Sequence, residues 1–223
     1  MLENVPLFPL YTVLFPGMLL PLRVFEPRYL RMMDRVLNTR EELGIVLIAR
    51  GKEVGGPAVP HEVGTLGRVV HMERLEDGTM HVVVHGTRRF HIRELNREEP
   101  YLQARVEVVG EAREDSVRAY ALSFKVQELW RQYSTLLRDV AGMDLTREPP
   151  PEEPTDLAFF VAAGLQSGLE EKQRLLTRWQ VTDMLAEEVR VLRREISLLH
   201  YMARTQQAED ERRMGPTGYL SRN

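Results

Sequence analysis

The pattern of apolar and polar positions changes near residue 112. Before that point, short runs rich in β-branched and aromatic residues are separated by clusters of Gly, Pro, Asn and Asp, which is typical of strands. Asp77-Gly78 lies between two such runs and favours a tight hairpin, since Gly readily adopts the positive φ that the turn needs. The predicted strands cover residues 44–49, 64–75, 79–86, 88–95 and 101–110. This pattern predicts a mostly antiparallel β-domain over residues 1–112.

The segment at residues 6–29, PLFPLYTVLFPGMLLPLRVFEPRY, is apolar but carries five prolines. A signal peptide has positive charge before its apolar core, whereas no Lys or Arg precedes Arg23 here. A membrane-spanning helix needs about 20 apolar residues that prolines do not interrupt. Because proline is tolerated at strand edges and bulges, the segment predicts two short strands joined at Phe15-Pro16-Gly17. Pro27 suits the first position of a helix, which should run to about Leu37.

The chain after residue 112 has helical periodicity. Apolar residues recur at spacings of three and four from Ser116 to Gly142, which predicts one long amphipathic helix. The proline-rich stretch at 147–154 separates this helix from further helical segments, and the last helix is expected from about Thr182 past Met202. The overall prediction is an α+β protein with a helical bundle over residues 113–206 and a flexible tail over 207–223.

Composition and charge narrow the function classes. The chain has 223 residues, 43% of them hydrophobic and 28% charged, with a formal net charge of -3. This balance offers no global attraction to nucleic acid or to anionic lipid. The sequence contains no cysteine, which excludes disulfides and thiol catalysis and suits a reducing cytoplasm. We therefore expect a cytoplasmic protein without a membrane anchor.

Several motifs resemble a known family. LFPG at 14–17, LPLRVFEPRY at 20–29 and GTLGRVV at 64–70 occur in the order found in the N-terminal substrate-binding domain of Lon ATP-dependent proteases. The resemblance extends from about residue 4 to about residue 200. It implies a PUA-like β-domain with one short helix, followed by a helical lobe. It also implies binding of unfolded or degron-bearing polypeptide, with a protease or chaperone as a further partner.

The catalytic parts of Lon are not expected in this chain. The sequence ends where the ATPase and peptidase modules of a full Lon would begin, so the Ser-Lys dyad of that family has no counterpart. A phosphate-binding loop is also missing around Gly51-Lys52, because Val46 stands at the position of its first glycine and Glu53 at that of its Ser or Thr. We therefore expect a protein without enzymatic activity or cofactor.

Polypeptide binding would require exposed apolar side chains, which can be aromatic or adaptable methionines. The candidates are Phe8, Phe15, Met18, Phe25, Met32 and Met33, although core packing is the more common role of such residues. Three charged residues near the predicted helix, Arg23, Glu26 and Arg28, are interpreted as a structural network that ties the strand to the helix.

The sequence also contains residues typical of two other kinds of site, an RNA-binding patch and a metal site. Arg88, Arg89 and Arg93 lie near Phe90, and such a group can contact phosphates and stack a base, as in RNA-binding proteins. Simple strand alternation and the acidic balance of the chain favour instead a solvated outer face. Four histidines, at 71, 81, 85 and 91, fall in the same strands, but their spacing matches no metal motif, so no metal site is predicted.

Overall fold

The computed structural model describes residues 2–110, 116–145 and 148–213. These ranges form a mostly antiparallel sheet of seven strands followed by several helices, with one helix inserted after the second strand. In chain order the elements are β1 (Leu2–Leu10), β2 (Leu19–Val24), α1 (Pro27–Thr39), β3 (Leu43–Gly51), β4 (Ala58–Pro60), β5 (Val63–Arg74), β6 (Met80–Asn96), β7 (Gln103–Val108), α2 (Val117–Ala141), α3 (Pro154–Gly164), α4 (Leu169–Leu176) and α5 (Val181–Arg213). The expected boundary near residue 112 lies outside the described residues.

The strand pairings close on themselves. The order β1-β7-β6-β5-β3 returns to β1, because the first half of β1 pairs antiparallel with β7 and its second half pairs parallel with β3. Pro6 is opposite Gln103 of β7, and Pro9 is opposite Val46 of β3. Pro6 therefore lies where the strand changes partner, whereas Pro9 lies within the parallel pairing, and the closed set of pairings forms a small barrel.

The interior of the barrel is packed around Phe90. The side chains that surround this ring come from β1, β3, β5 and β7; they are Val5, Leu7, Val46, Leu66, Ala104 and Val106. At Gly64, a Cβ would lie 2.6 Å from the carbonyl oxygen of Ile45 and 2.7 Å from the Phe90 ring. The barrel is thus a filled core with no room for a ligand at this point.

The predicted hairpin is confirmed. Strands β5 and β6 pair with Arg74 opposite Met80, and Gly78 has a φ of +81° in the turn between them. The separation of residues 79–86 from 88–95 was wrong, because β6 continues from Met80 to Asn96. Gly86 does not break the strand; instead, a Cβ there would lie 2.2 Å from the carbonyl oxygen of Phe15, so the glycine permits close contact with that turn.

Helix α1 begins at Pro27, as predicted, and covers one side of the sheet. Its buried residues Tyr29, Met32, Met33 and Val36 pack against apolar side chains of β1, β2 and β6. The Phe8 and Tyr29 rings are 4.3 Å apart between centroids. This cluster forms a second core outside the barrel.

The helices after residue 116 pack on one another and on the barrel. Helix α2 has the expected ends, with the Ser116 hydroxyl accepting the Ala119 N–H and Gly142 in the left-handed conformation. Helix α5 runs to Arg213, so residues 207–213 are helical rather than part of the tail predicted from 207, and residues 214–223 lie outside the described ranges. The helical core also includes Val13, Phe15, Leu47 and Val63 of the β-domain. Both parts of the chain therefore share one continuous core.

The ionisable side chains of Arg89 and Glu188 are buried in this arrangement. Arg89 of β6 is 1% exposed, and its guanidinium donates to the carbonyls of Leu176, Arg178 and Trp179 at the end of α4. Its charge also lies 5.0 Å from the centroids of the Phe159 and Trp179 rings. Glu188 of α5 is completely buried, with neither carboxylate oxygen hydrogen-bonded to any described residue.

Of the described helices, none is long and apolar enough to cross a bilayer.

Candidate functional site

Strand β2 leaves one side open to solvent. In the described residues, β2 pairs with β6 through Leu19 to Val24 and has no strand on its other side. A sheet edge of this kind presents unpaired backbone donors and acceptors. Proline at 21 reduces the number of these donors, since it has no N–H.

A groove follows this open edge. It has a volume of about 170 Å³ and lies between β2, β1, the start of α1 and the loop after β3. We call it the β2 groove and define it by its lining residues: Phe8, Leu10, Pro21, Leu22, Arg23, Val24, Phe25, Glu26, Tyr29, Glu53 and Val54. Burial raises the pKa of the Tyr29 phenol, against the opposing effect of the Arg28 charge. The floor of the groove is thus neutral and largely apolar.

Large apolar side chains on the rim of the β2 groove are exposed. Phe25 is 49% exposed and Val54 is 53% exposed. Leu19, at the start of the same open edge, is 57% exposed. Apolar side chains grouped around a concave surface are a frequent mark of a protein interaction site. The rim of the β2 groove therefore presents an exposed apolar surface.

The loop at residues 51–57 forms one wall and is held by hydrogen bonds. Glu53 accepts the backbone N–H of Tyr11 at 2.9 Å, and the Tyr11 hydroxyl donates to the carbonyl of Gly51 at 2.8 Å. On the other side, Arg28 donates to the carbonyl of Gly56 at 3.2 Å and pairs with Glu26 at 3.0 Å. These bonds fix the loop against the start of α1.

The three charged residues predicted to form one network lie in two separate contacts. Glu26 and Arg28 contact each other, and Glu26 also accepts the N–H of Gly55, so they secure the loop rather than the strand. Arg23 is not in contact with them. Its guanidinium lies 3.2 Å from Asp77 in the β5–β6 turn, and both side chains are more than half exposed.

The six predicted apolar binding residues are not brought together. Phe8, Met32 and Met33 lie in the core beneath α1, and Phe15 lies in the core shared with the helices. Met18 is half-buried against the same cores, whereas Phe25 is exposed on the rim of the β2 groove. Phe8 still contributes its face to the groove floor, but a bound chain could not reach Phe15, Met32 or Met33 in this fold.

Val54 and Leu19, which lie on the rim of the β2 groove and on its open edge, were not among the binding residues predicted from the sequence. Val54 is an apolar residue in an otherwise polar, glycine-rich loop, and that mismatch is a signal that could have identified it. Leu19 occupies the outward position two residues before the edge proline, where strand alternation would place a polar residue. The exposure of Val54 and Leu19 can be inferred only once the strand order of the sheet is known.

The arginines considered for RNA binding do not form a patch. Arg88 pairs with Glu42 at 2.7 Å, and Arg93 pairs with Glu107. Arg89 is buried, and Phe90 lies inside the barrel with its ring inaccessible for base stacking. The alternation argument holds for Phe90, which faces inward, but the expected solvated face was wrong at Arg89, because the helices cover this position of β6. The structure and the comparisons below do not support an RNA-binding function.

All four histidines lie on strands β5 and β6. His71 is opposite Val83, so it shares the outward face of the β5–β6 hairpin with His81 and His85. The Nδ1 atom of His91 lies 2.8 Å from the Ile92 carbonyl, and its Nε2 atom lies 3.7 Å from Glu62. Within the described ranges, no three metal-ligating side chains come close enough to hold an ion.

Comparison with known proteins identifies the family of this fold. The family described as the ATP-dependent protease La (LON) substrate-binding domain matches residues 4–194. Among curated proteins, the Lon protease of Dictyoglomus thermophilum is 29% identical over 198 residues, which cover 88% of this chain and 25% of that protein. Lon protease 2 of Sorangium cellulosum is 30% identical over 208 residues, with the same shares. This chain thus spans about a quarter of the length of these relatives.

Solved structures show the same fold. The Lon N-terminal domain protein from Xanthomonas campestris superposes with a TM-score of 0.62 at 23% identity, covering 83% of this chain and 96% of that chain. The N-terminal domain of the Mycobacterium avium complex Lon protease gives a TM-score of 0.64 at 23% identity, covering 87% and 98%. The comparisons confirm the resemblance read from the sequence motifs.

Proposed function

This chain belongs to the family of Lon substrate-binding domains, and from that premise we propose that it is a non-catalytic module that recognises unfolded or degron-bearing polypeptide. The proposed binding surface is the β2 groove. The observation that carries the proposal is the combination of an open strand edge with exposed Phe25 and Val54 beside it. Partners that receive the bound polypeptide would be a protease or a chaperone, and the cytoplasmic location stays a prediction from composition.

Apolar burial supplies the binding energy in this proposal. Phe25 is 49% exposed, and covering that half of its side chain would stabilise a complex by about 1 kcal/mol. Val54 and Leu19 would add comparable amounts. The charged groups of the groove have partners within the protein, so binding should persist at moderate salt.

The test uses a labelled polypeptide kept unfolded by reduction and alkylation of its cysteines, titrated by fluorescence anisotropy at low and high salt. Phe25→Ser should weaken binding about fivefold, which corresponds to the loss of about 1 kcal/mol. The matched control is Phe124→Ser, because Phe124 is 72% exposed on α2 and does not line the groove. Equal affinities of the two variants would exclude the β2 groove as the binding surface.

The non-catalytic part of the proposal needs its own measurement. The same preparation is assayed for hydrolysis of ATP and of a fluorogenic unfolded substrate, and we expect none. Turnover that survives repurification, and that a point mutation in this chain abolishes, would contradict it.

A further inference from the structure

We infer that a bound polypeptide adds to the open edge of β2 as an extra strand, so that backbone hydrogen bonds, and not apolar contact alone, hold it in the β2 groove. This inference rests on the proposed function and specifies how the polypeptide binds. Strand addition is a recurrent mode of peptide recognition, in which main-chain bonds provide affinity and alternate side chains enter pockets.

The ladder between β2 and β6 determines which backbone groups are open. Gly86 donates its N–H to the carbonyl of Met18 at 2.9 Å, and hydrogen-bonded pairs in an antiparallel ladder recur at every second residue. The even-numbered residues of β2 therefore direct their backbone groups to β6. Leu19, Pro21 and Arg23 direct theirs to the open side. Because Pro21 faces away from β6, its missing N–H costs no hydrogen bond between β2 and β6.

The open side consequently has a defined pattern of donors and acceptors. Leu19 and Arg23 each offer an N–H, and both of these residues and Pro21 offer a carbonyl. The two donors are four residues apart, which is about 13 Å along an extended strand. A partner strand with alternating donors and acceptors matches this spacing, with one missing bond opposite Pro21.

Charge complementarity identifies the occupant as an uncharged, apolar stretch of extended polypeptide. Arg23 pairs with Asp77, Glu26 pairs with Arg28, and Glu53 accepts the N–H of Tyr11. The groove thus offers no unpaired cation to a polyanion, and the Glu53 carboxylate, which accepts a hydrogen bond but forms no ion pair among the described residues, disfavours an acidic tail. A strand laid along β2 would direct every second side chain toward Phe8, Leu10 and Tyr29, which line the floor of the 170 Å³ groove.

The decisive variant removes a backbone donor from the open edge. Arg23→Pro eliminates the N–H of residue 23, which β6 does not use, and keeps every apolar side chain of the groove. Arg23→Ala is the reference, because both variants lose the guanidinium and its ion pair with Asp77. We expect Arg23→Pro to bind the unfolded polypeptide about tenfold more weakly than Arg23→Ala, as one backbone bond is lost and the neighbouring ones are displaced.

A second measurement does not depend on a variant. In the wild-type protein, the amide hydrogens of Leu19 and Arg23 should exchange more slowly when an excess of an apolar, uncharged eight-residue peptide is present. The same peptide with alternate backbone nitrogens methylated keeps its side chains but loses the hydrogen bonds, so it should bind weakly and give no protection.

The outcomes separate this inference from the proposed function. If the wild-type protein binds no unfolded polypeptide, the proposed function fails and the inference fails with it. Equal affinities of Arg23→Pro and Arg23→Ala, together with unchanged amide exchange at residues 19 and 23, would overturn strand addition but leave the proposed function intact. Should Arg23→Pro fail to fold by circular dichroism, the exchange measurement decides.

Discussion

Replacing Glu188 should stabilise the protein above acidic pH. Glu188 is completely buried in α5, and neither carboxylate oxygen has a hydrogen-bond partner in the described residues. Burial raises the pKa of this carboxyl well above its ordinary value of 4.5. The unfolded chain therefore ionises at a pH at which the folded chain must still keep its proton.

The sign and size of the effect follow from this difference. Below about pH 4.5 both states are protonated, and the carboxyl then has no pH-dependent effect on stability. As the pH rises toward the folded-state pKa, the unfolded state is favoured by about 1.4 kcal/mol for each pH unit. The loss is complete once the pH passes the folded-state pKa.

Two variants of Glu188 distinguish the effect of its charge on stability from the effect of its unpaired polar group. Glu188→Gln has nearly the same shape but cannot ionise, so its stability should match the wild type near pH 4 and exceed it increasingly toward pH 7. Glu188→Met also removes the unpaired polar group, which should add about 1 to 3 kcal/mol at every pH. The assay is urea denaturation from pH 4 to pH 8, with the free energy of unfolding of each variant compared with the wild type.

The comparison between wild type and Glu188→Gln can refute the reasoning. Other carboxyls, such as Glu171 with its Arg194 partner, titrate in both proteins and cancel in the difference. If the two stability curves run parallel from pH 4.5 to pH 8, then Glu188 ionises equally in the folded and unfolded states. In that case the side chain must have a partner or access to water.

Two further changes test the packing that supports the site. Arg89→Ala should destabilise the protein by about 3 to 5 kcal/mol, because it leaves the carbonyls of Leu176, Arg178 and Trp179 without their buried donor. If urea denaturation shows a loss of less than about 1 kcal/mol in the free energy of unfolding, these hydrogen bonds are replaceable. Gly64→Ala should cost about 1 to 3 kcal/mol, since its Cβ would lie 2.6 Å from the carbonyl oxygen of Ile45, and an unchanged melting temperature would contradict such close packing.

The local features of the fold were predictable from the sequence. The Asp77-Gly78 turn, the start of α1 at Pro27 and the ends of α2 at Ser116 and Gly142 each depend on one residue whose backbone preference or side chain favours that conformation. Such signals act over a few residues, and tertiary contacts did not override them here.

The features that depend on distant contacts were not predictable in the same way. The parallel pairing of β1 with β3 leaves no mark in the apolar pattern of either strand. Gly86 resembles a strand break until the approach of Phe15 is known, and Arg89 resembles a surface residue until α4 covers it. The candidate binding residues failed for a related reason, since hydrophobicity alone cannot distinguish the buried Met33 from the exposed Phe25.

The burial of Arg89 also delays the completion of folding during synthesis, because its hydrogen-bond acceptors lie far along the chain. Arg89 donates to the carbonyl of Arg178, which is 89 residues later in the chain. At a synthesis rate of about 5 to 20 residues per second, roughly 4 to 18 seconds pass between the translation of these two residues. During that interval the β-domain has neither its final cover nor the acceptors for this guanidinium. A ribosome-bound nascent chain that stops before α4 should therefore be sensitive to proteolysis along β6, and protection should appear only once residue 179 has emerged.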